Sequence, residues 1–483
     1  MVNIMKNYSI WSLEKKKRPT QKLKENKEVD VLIIGGGITG LSILYQLKGT
    51  NLKTILVERD VVGAGVTSKM TGKISYLQGI VYSKIEQNVT KEFANLYLKS
   101  QVEAMNSIKN IIEKEKIDCN LEKVPSLVYS NKLSDLQKEY FFLKEHGMPV
   151  VLEKNSIAVP DSYVFHPVKY VNHLANLHQQ DIYEQTAIFH LKKMNHGYIA
   201  YGEKYHIKAK YVILACHYPF ELFPFFLPLR TYPEKSFVLA KEVSNNLKES
   251  TITDYPDVIS KRYYQDEKIY EIFLKRSVPV HKHLNSLENF VQLLHNNTHV
   301  HYIWSNEDLM TGDNIPYIGK INKHLLIATG YNTWGITNST IAGIVIKDIL
   351  LEKDNPYIKL FSPKRSFNYA KLIQYSINIF GNIKSFLVNK LYFKKKWYPK
   401  NLKYIKKDGK TIAIYQDKKK SYAVIPTCPH MGCSLIFNEV EKTWDCPCHA
   451  SRFDITGKCI KGPSKYNISY SILSNDISHL DNK

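Results

Sequence analysis

The chain has 483 residues, and because single hydrophobic cores stop growing at about 250 to 300 residues, we expect two or three domains. Its hydrophobic fraction of 44% and aromatic fraction of 12% exclude wholesale disorder. The formal net charge of +22 would suit an anionic partner, but lysines are spread along the whole chain without a nucleic-acid motif, so we do not expect nucleic acid as a partner.

The ends of the first domain are marked by polar, basic segments. Residues 1–28 form a lead-in without the apolar core of a secretory signal. No stretch reaches the roughly 18 apolar residues of a membrane span, so we expect a cytoplasmic protein. A basic, aromatic and weakly amphipathic stretch at 363–404 predicts a linker helix, with contact to a membrane surface as the alternative.

Short apolar runs predict the strands and helices in chain order. A β-branched run at 29–34 predicts a buried parallel strand, and a second strand is predicted at 53–57. Apolar residues recur every three or four positions at 84–114 and at 132–145, which predicts a helix in each segment. We expect these helices to lie between strands.

Two further apolar runs, at 211–216 and 324–330, end in small residues and predict two more buried strands. The region between them is rich in aromatic and β-branched residues, which are typical of strands. We expect this region to hold an antiparallel substrate domain.

The sequence GGGITG at 35–40 matches G-x-G-x-x-G between the first predicted strand and a helix pattern. Gly35 allows the tight turn, Gly37 lets the backbone approach a pyrophosphate, and Gly40 permits close helix packing. The helix N-terminus favours the phosphates. Glu58 follows the second strand and is placed to accept a hydrogen bond from the adenosine ribose. The motif predicts a dinucleotide but does not separate NAD from FAD.

The next segment, GAGVTSKMTGKI at 63–74, separates the two cofactors. Together with the ERD that precedes it, this segment resembles the second FAD contact of the glycine oxidase and D-amino-acid oxidase superfamily. The resemblance implies FAD, and it adds as candidate cofactor-binding residues Arg59, Thr67, Thr71 and Lys73.

A late Gly-x4-Gly turn supports the same resemblance. In that superfamily such a turn opens a helix aimed at the flavin pyrimidine, and the helix N-terminus would stabilise the negative charge of reduced flavin. The resemblance implies three more cofactor contacts, Gly330, Gly335 and Thr337.

Five of the seven cysteines lie within a short segment near the C-terminus, which indicates metal or redox chemistry in a reducing compartment. The spacing there is C-x-H followed by C-x-x-H, formed by Cys428, His430, Cys446 and His449. Two cysteines and two histidines in paired loops could hold zinc in a tetrahedral site. They are also the ligand set of a Rieske [2Fe-2S] centre.

The residues around these ligands resemble the Rieske family, including the motif Gly462-Pro463, which matches the loop that covers the cluster. The resemblance implies Cys428 with Cys446 on one iron, and His430 with His449 on the other. It also implies a disulfide between Cys433 and Cys448, and a hydrogen bond from the Ser451 hydroxyl to the cluster.

The order of the two halves resembles a bacterial group of FAD-dependent oxidoreductases with a C-terminal Rieske domain. The resemblance implies an α/β (α+β) FAD-binding Rossmann-type domain with an inserted antiparallel substrate domain at 29–362. It also implies a small all-β Rieske [2Fe-2S] domain at 405–483. It gives the cofactors, FAD and a [2Fe-2S] cluster, and not the substrate.

The two cofactors together favour a dehydrogenase, since flavin accepts a hydride and an iron-sulfur cluster carries one electron at a time. We expect oxidation of a small amine or amino-acid-like substrate, with electrons passed singly to an acceptor that the sequence does not identify. The first alternative is an electron-transfer or redox-sensing module without small-molecule turnover, and the second, suggested by the charge alone, is a nucleic-acid-modifying flavoenzyme. We name His166 as a candidate acid or base, although a histidine before Pro167 is also typical of a structural position.

Overall fold

The computed structural model describes residues 6–14, 18–219, 230–255, 257–279, 299–365, 401–417, 420–439, 441–446 and 451–471. Two large β-sheets with their α-helices make up the part before residue 366, and two small sheets make up the part after residue 400. Most of the predicted linker helix at 363–404 lies outside the described residues, so it stays a prediction.

Strands and helices alternate through the first part of the chain. The strands are β1 Lys27–Ile34, β2 Thr54–Val57, β3 Lys73–Ile74, β4 Glu122–Ser130, β5 Val151–Leu152, β6 Ser156–Val164, β7 Ile182–Tyr183, β8 His190–Met194, β9 Gly197–Tyr201, β10 His206–Leu214, β11 Thr231–Glu242, β12 Ser250–Tyr255, β13 Ile259–Gln265, β14 Ile269–Pro279, β15 Val300–Thr311, β16 Tyr317–Lys320 and β17 Leu325–Thr329. The α-helices are α1 Ile38–Leu47, α2 Tyr82–Asn88, α3 Lys91–Lys114, α4 Leu133–Glu145, α5 Pro167–Leu177, α6 Gly335–Leu350 and α7 Tyr357–Phe361. Short 3-10 turns cover Ile10–Leu13, Val66–Lys69 and Gln179–Asp181.

The first sheet has the strand order β16-β17-β10-β1-β2-β7, and β9 and β8 extend it beside β10. Its centre is parallel, because β1 pairs in parallel with β2 and β10, and β10 with β17. Val31, Leu32 and Ile33 are fully buried, as expected for a parallel strand covered on both faces. The four strands predicted from short apolar runs are confirmed, with β10 beginning earlier than predicted.

The second sheet has the order β15-β11-β14-β13-β12-β4-β6-β3, with β5 beside β6. The antiparallel strands expected between the predicted strands at 211–216 and 324–330 are confirmed as β11 to β15. The sheet is wider than predicted, because β3 to β6 join it and β12 pairs in parallel with β4, Ser250 lying opposite Ser126. Local periodicity does not encode a pairing between such distant segments.

The helix predicted at 84–114 was wrong in one respect, because the segment forms two helices, α2 and α3. The break falls at Thr90, whose extended backbone and side-chain oxygen cap α3 by accepting the Phe93 N–H at 3.1 Å. The helix predicted at 132–145 is confirmed as α4. Helices α1 and α6 pack closely at Gly343, where a Cβ would lie 2.7 Å from the Ser42 carbonyl oxygen.

The C-terminal domain is all-β in its described residues, as expected. Its first sheet has the order β18 Leu402–Lys407, β19 Lys410–Asp417 and β20 Lys420–Val424, and its second has β21 Ile436–Asn438, β22 Thr443–Asp445, β23 Arg452–Asp454 and β24 Cys459–Lys461. Every pair within these sheets is antiparallel. Trp444 and Phe453 are fully buried and belong to a core separate from those of the large sheets.

In the described part of the chain, no helix combines the length and the apolar character needed to cross a bilayer.

Candidate functional site

A cavity of about 420 Å³ opens where the parallel strands of the first sheet end. Its walls include Ile34 at the end of β1, Val57 at the end of β2 and Thr329 at the end of β17. Open α/β sheets bind nucleotides outside the carboxyl ends of their strands. The cavity therefore lies where the glycine motif predicts a dinucleotide.

The glycine motif forms one wall of this cavity. Gly35 has a φ of 118°, and a Cβ there would lie 2.6 Å from the Ala215 carbonyl oxygen. A Cβ on Gly40 would lie 1.9 Å from the Gly35 carbonyl oxygen. Gly37 caps α1 without a side chain, so the helix N-terminus remains open toward the cavity. These residues fit the pyrophosphate of a dinucleotide, because backbone can approach it closely and the helix N-terminus favours its charge.

Glu58 follows β2 and lines the same cavity. Its two carboxylate oxygens accept the backbone N–H groups of Gly36 at 2.6 Å and Asp60 at 2.8 Å. Burial raises the pKa of Glu58, and the two backbone hydrogen bonds oppose that shift. The carboxylate is thus held in place at the end of β2, and its contact with the ribose stays a prediction.

The structure brings most of the predicted FAD contacts together. The residues of that set that line the cavity are Gly35, Gly37, Glu58, Arg59, Thr67, Gly330 and Gly335. Thr67 also organises the glycine turn, because its Oγ1 accepts the backbone N–H of Ile38 at 3.0 Å.

Four predicted FAD contacts do not lie among the lining residues: Gly40, which packs against the Gly35 carbonyl, and Thr71, Lys73 and Thr337. The Lys73 ammonium group is turned into the second sheet, where it donates to the Thr251 carbonyl at 2.8 Å and to Ser260 Oγ at 2.7 Å. Thr337 is fully buried and accepts from Gln78 Nε2 at 3.1 Å. Both side chains therefore hold elements together, away from the cavity.

The backbone carbonyl of Thr71 accepts a hydrogen bond from Arg262, which does not line the cavity. The guanidinium of Arg262 donates to the carbonyl oxygens of Thr71 at 2.9 Å, Gly72 at 2.9 Å and Phe165 at 2.8 Å. Burial lowers the pKa of Arg262 to about 9. The buried cation joins the loop after the first FAD contacts to the end of β6.

His166 does not reach the cavity either. It caps α5, accepting the Lys169 backbone N–H on Nδ1 at 3.2 Å, and its ring packs edge-on against Trp11 at 4.8 Å between centroids. Burial, followed by the neighbouring charges of Lys169 and Arg262, lowers the pKa of His166 to about 3. This environment is typical of a structural histidine, and a catalytic role for His166 stays a prediction.

The C-terminal domain also contributes to the wall of the cavity, which the sequence did not predict. Residues 460–465, called here the wall segment, line it together with Arg452. The Lys461 ammonium group contacts Glu307 Oε2 of β15 at 2.6 Å. The Gly462-Pro463 motif within this segment was singled out for the cluster, and nothing in the sequence indicates that it also faces the FAD site.

Lys69 is a further lining residue that the sequence reasoning passed over, although it belongs to the segment at 63–74. It ends the 3-10 turn Val66–Lys69, and its Nζ lies 3.5 Å from Glu441 Oε1 of the C-terminal domain. Burial and then the charge of Arg452 lower the pKa of Lys69 to about 8, while Glu441 opposes the shift.

The predicted iron ligands meet in the C-terminal domain. Cys428 and Cys446 are each 1% exposed, and their side chains hydrogen-bond to each other. That bond lowers the pKa of the Cys428 thiol to about 7, against the effect of burial. His430 is partly buried with both ring nitrogens shielded from solvent. His449 lies outside the described residues.

Two facing thiols fit one iron of a [2Fe-2S] cluster, since each iron of a Rieske centre takes two protein ligands. Among the described residues, which exclude His449, no group of three or more His, Cys, Asp or Glu side chains is placed to hold a metal ion. Cys433 is disulfide-bonded, and because Cys448 lies outside the described residues, their pairing stays a prediction.

Ser451 connects the cysteine site with the cavity. Its hydroxyl hydrogen-bonds to the Cys428 thiol, and its Oγ accepts the backbone N–H of Ser464 at 2.9 Å. Ser464 itself lines the cavity. Two hydrogen bonds thus join a predicted iron ligand to the wall of the predicted FAD site.

Comparison with known proteins agrees with both halves. A family model described as FAD dependent oxidoreductase matches residues 30–349. The chain belongs to the FAD dependent oxidoreductase family. A second model, the Rieske [2Fe-2S] domain, matches residues 390–471, beginning before the predicted boundary at 405. The protein is therefore an FAD-dependent oxidoreductase with a Rieske [2Fe-2S] centre.

Individual relatives match different lengths of the chain. YhfW of Bacillus subtilis, named as a Rieske 2Fe-2S iron-sulfur protein, is 27% identical over 92% of this chain and 93% of its own. Gamma-glutamylputrescine oxidoreductase of Escherichia coli is 23% identical over 69% of this chain and 86% of its own. Glycine oxidase from Geobacillus kaustophilus has a TM-score of 0.57 at 18% identity, covering 71% of this chain and 100% of its own, a likeness of fold alone.

Proposed function

We propose that this protein is a dehydrogenase that oxidises a small amine or amino-acid-like substrate in the FAD domain and releases the electrons one at a time, through its Rieske domain, to an acceptor. When bound, FAD accepts a hydride from a carbon next to an amine and the cluster carries single electrons. The observation that carries the proposal is that the wall segment of the Rieske domain lines the FAD cavity.

The contact between the two sites supports a direct route for electrons. Ser464 faces the cavity, and its N–H is bound to Ser451, which in turn is bound to Cys428. A separate carrier between the two cofactors is not required in this arrangement. An enzyme that passed its electrons only to oxygen would have no use for a cluster at this position.

Two buried acceptors support an amine as the substrate. Glu307 Oε1 and Asn306 Oδ1 belong to lining residues that are 1% and 5% exposed, and neither atom has a hydrogen-bond partner among the described residues. A buried acceptor without a donor is costly, so these atoms favour a ligand that carries N–H groups. The name of one relative, a gamma-glutamylputrescine oxidoreductase, points to the same class.

The decisive experiment is an anaerobic titration of the full-length protein carrying both cofactors. The panel contains primary amines, N-methyl amino acids and D-amino acids, and flavin absorbance is followed together with the electron-paramagnetic signal of the reduced cluster. We expect one class of amine to bleach the flavin and the cluster signal to rise afterwards. If the flavin stays oxidised with every compound while a reduced protein partner reduces the cluster, the protein is instead an electron-transfer module.

Replacing the buried acceptor tests the amine subsite. Glu307→Gln keeps an oxygen for Lys461 and removes the negative charge, so we expect the KM for the active amine to rise at least tenfold with FAD content unchanged. Glu271→Gln is the matched control, because Glu271 is 6% exposed, pairs with Lys241 and does not line the cavity. If FAD binding weakens while KM stays constant, Glu307 serves the cofactor and the amine subsite is refuted.

A further inference from the structure

A buried ion network joins the Rieske domain to the FAD domain. Lys235 of β11 and Asp445 of β22 form an ion pair whose side chains are 0% and 1% exposed. Arg452 contacts Glu441 at 2.5 Å and Asp445 at 3.0 Å, and Lys69 reaches Glu441 from the FAD domain. These five residues are called the interface network below.

The network ties the docked arrangement to these five residues. Removing one member while the others stay buried leaves a buried charge without its partner, which is strongly unfavourable. Ser305 of β15 adds a hydrogen bond to Glu441, so both long strands at the edge of the second sheet take part.

The wall segment of the Rieske domain contacts the FAD domain at both of its ends. At one end of the wall segment, Arg59 Nη2 donates to the Ile460 carbonyl at 3.0 Å. At the other end, Lys465 Nζ donates to the Phe189 carbonyl at 2.5 Å. Arg59 and Phe189 both line the cavity, so the wall segment is hydrogen-bonded to lining residues of the FAD domain at both of its ends.

We propose that the Rieske domain is part of the FAD-binding site: FAD is held between the glycine wall of the FAD domain and the wall segment, and it leaves only when the interface network opens. Arg452 and residues 460–465 are then cofactor-retaining residues contributed by the second domain. The proposal rests on FAD as the cofactor and is independent of the substrate.

The test is the rate at which FAD leaves the full-length protein. Lys235→Met removes the cation opposite Asp445, and we expect FAD to dissociate at least tenfold faster, measured by transfer to an excess of an apoflavoprotein trap. Lys241→Met is the matched control on the same strand, because Lys241 pairs with Glu271 inside the FAD domain. The milder Glu441→Gln, which keeps the shape of the side chain, is expected to give a smaller increase in the same direction.

Two further measurements establish whether the Rieske domain of each variant is folded and whether it is docked. The absorbance of the cluster reports whether the Rieske domain is folded, and hydrogen exchange of the backbone in 460–465 reports whether it has undocked. Faster FAD release together with faster exchange in a protein with an intact cluster supports the proposal. Faster exchange without faster FAD release refutes it, and so does a variant in which neither rate changes, because the network would then not hold the domain on the cofactor.

Discussion

Burial decides what His166 can do. A catalytic base must reach the substrate and exchange protons near neutral pH, whereas His166 is 4% exposed, caps α5 and has its pKa lowered to about 3 by burial. Its usual pKa is 6.5, so the unfolded chain takes up this proton before the folded chain does. Stability from His166 is therefore lost as the pH falls from about 6.5 toward 3.

His166→Asn separates the two roles. Asparagine is a good helix cap and does not titrate, so we expect turnover to persist. We also expect the loss of unfolding free energy between pH 6.5 and about pH 5 to be smaller by about 2 kcal/mol in the variant than in the unmodified protein. The measurement is the thermal unfolding midpoint at both pH values beside steady-state turnover. Complete loss of turnover in a folded, FAD-loaded variant would restore His166 as a catalytic residue.

Ser451 is the residue at which the cluster and the cavity meet. Hydrogen bonds to the sulfur ligands stabilise the more negative reduced cluster, so Ser451→Ala should lower its reduction potential. It should also slow the appearance of the reduced-cluster signal after the flavin is bleached, since one link to Ser464 is lost. A redox titration followed by paramagnetic resonance measures the first effect. Thr456→Ala is the control in the same domain, because the Thr456 hydroxyl donates to Asp454 Oδ1 at 2.6 Å in an exposed turn. An unchanged potential in Ser451→Ala would contradict the proposed hydrogen bond.

Among the elements, the pair α2 and α3 shows how tertiary contacts divide a periodic segment. The buried Glu139 of α4 accepts the N–H groups of Val81 and Tyr82 at 3.0 Å and that of Ser83 at 2.8 Å, which fixes the start of α2. Thr90 then begins α3 anew. The apolar spacing continues through the break, so periodicity alone predicts a single helix.

Thr90→Ala tests the second of these two caps. Removing the side-chain acceptor for the Phe93 N–H should lower the free energy of unfolding by about 1 kcal/mol, the usual contribution of a helix cap. Thr90→Ser keeps the acceptor and should cost a few tenths at most. Chemical unfolding followed by helix content gives both values, and equal losses in the two variants would show that the cap is not what stabilises α3.

At the scale of the whole molecule, the two cofactor domains behave as one unit if the interface network holds them. Flavin release and loss of the cluster should then occur in a single thermal transition in the unmodified protein. In Lys235→Met, flavin release and cluster loss should occur at different temperatures. The reason is that Asp445 stays buried without the Lys235 cation that pairs with it. Differential scanning calorimetry with both optical signals measures this, and two separate transitions in the unmodified protein would contradict it.

The sequence determined the cofactors and the local elements that bind them. The glycines at 35–40 admit the close approaches seen at Gly35 and Gly40. The paired Cys and His spacing, together with the Rieske-like residues around it, predicts the iron site, at which Cys428 and Cys446 meet. Both signals lie within short segments of the chain. Strand and helix types were also readable, since periods of two and 3.6 residues are local properties.

Only the tertiary structure decided which surfaces face each other. Lys73 has the sequence position of an FAD contact and is turned into the second sheet, while Lys461, far away in the chain, forms part of the FAD cavity. The buried pair of Lys235 and Asp445 joins strands separated by 210 positions in sequence. Side-chain direction and domain docking depend on the packing of the whole chain, which no local pattern contains.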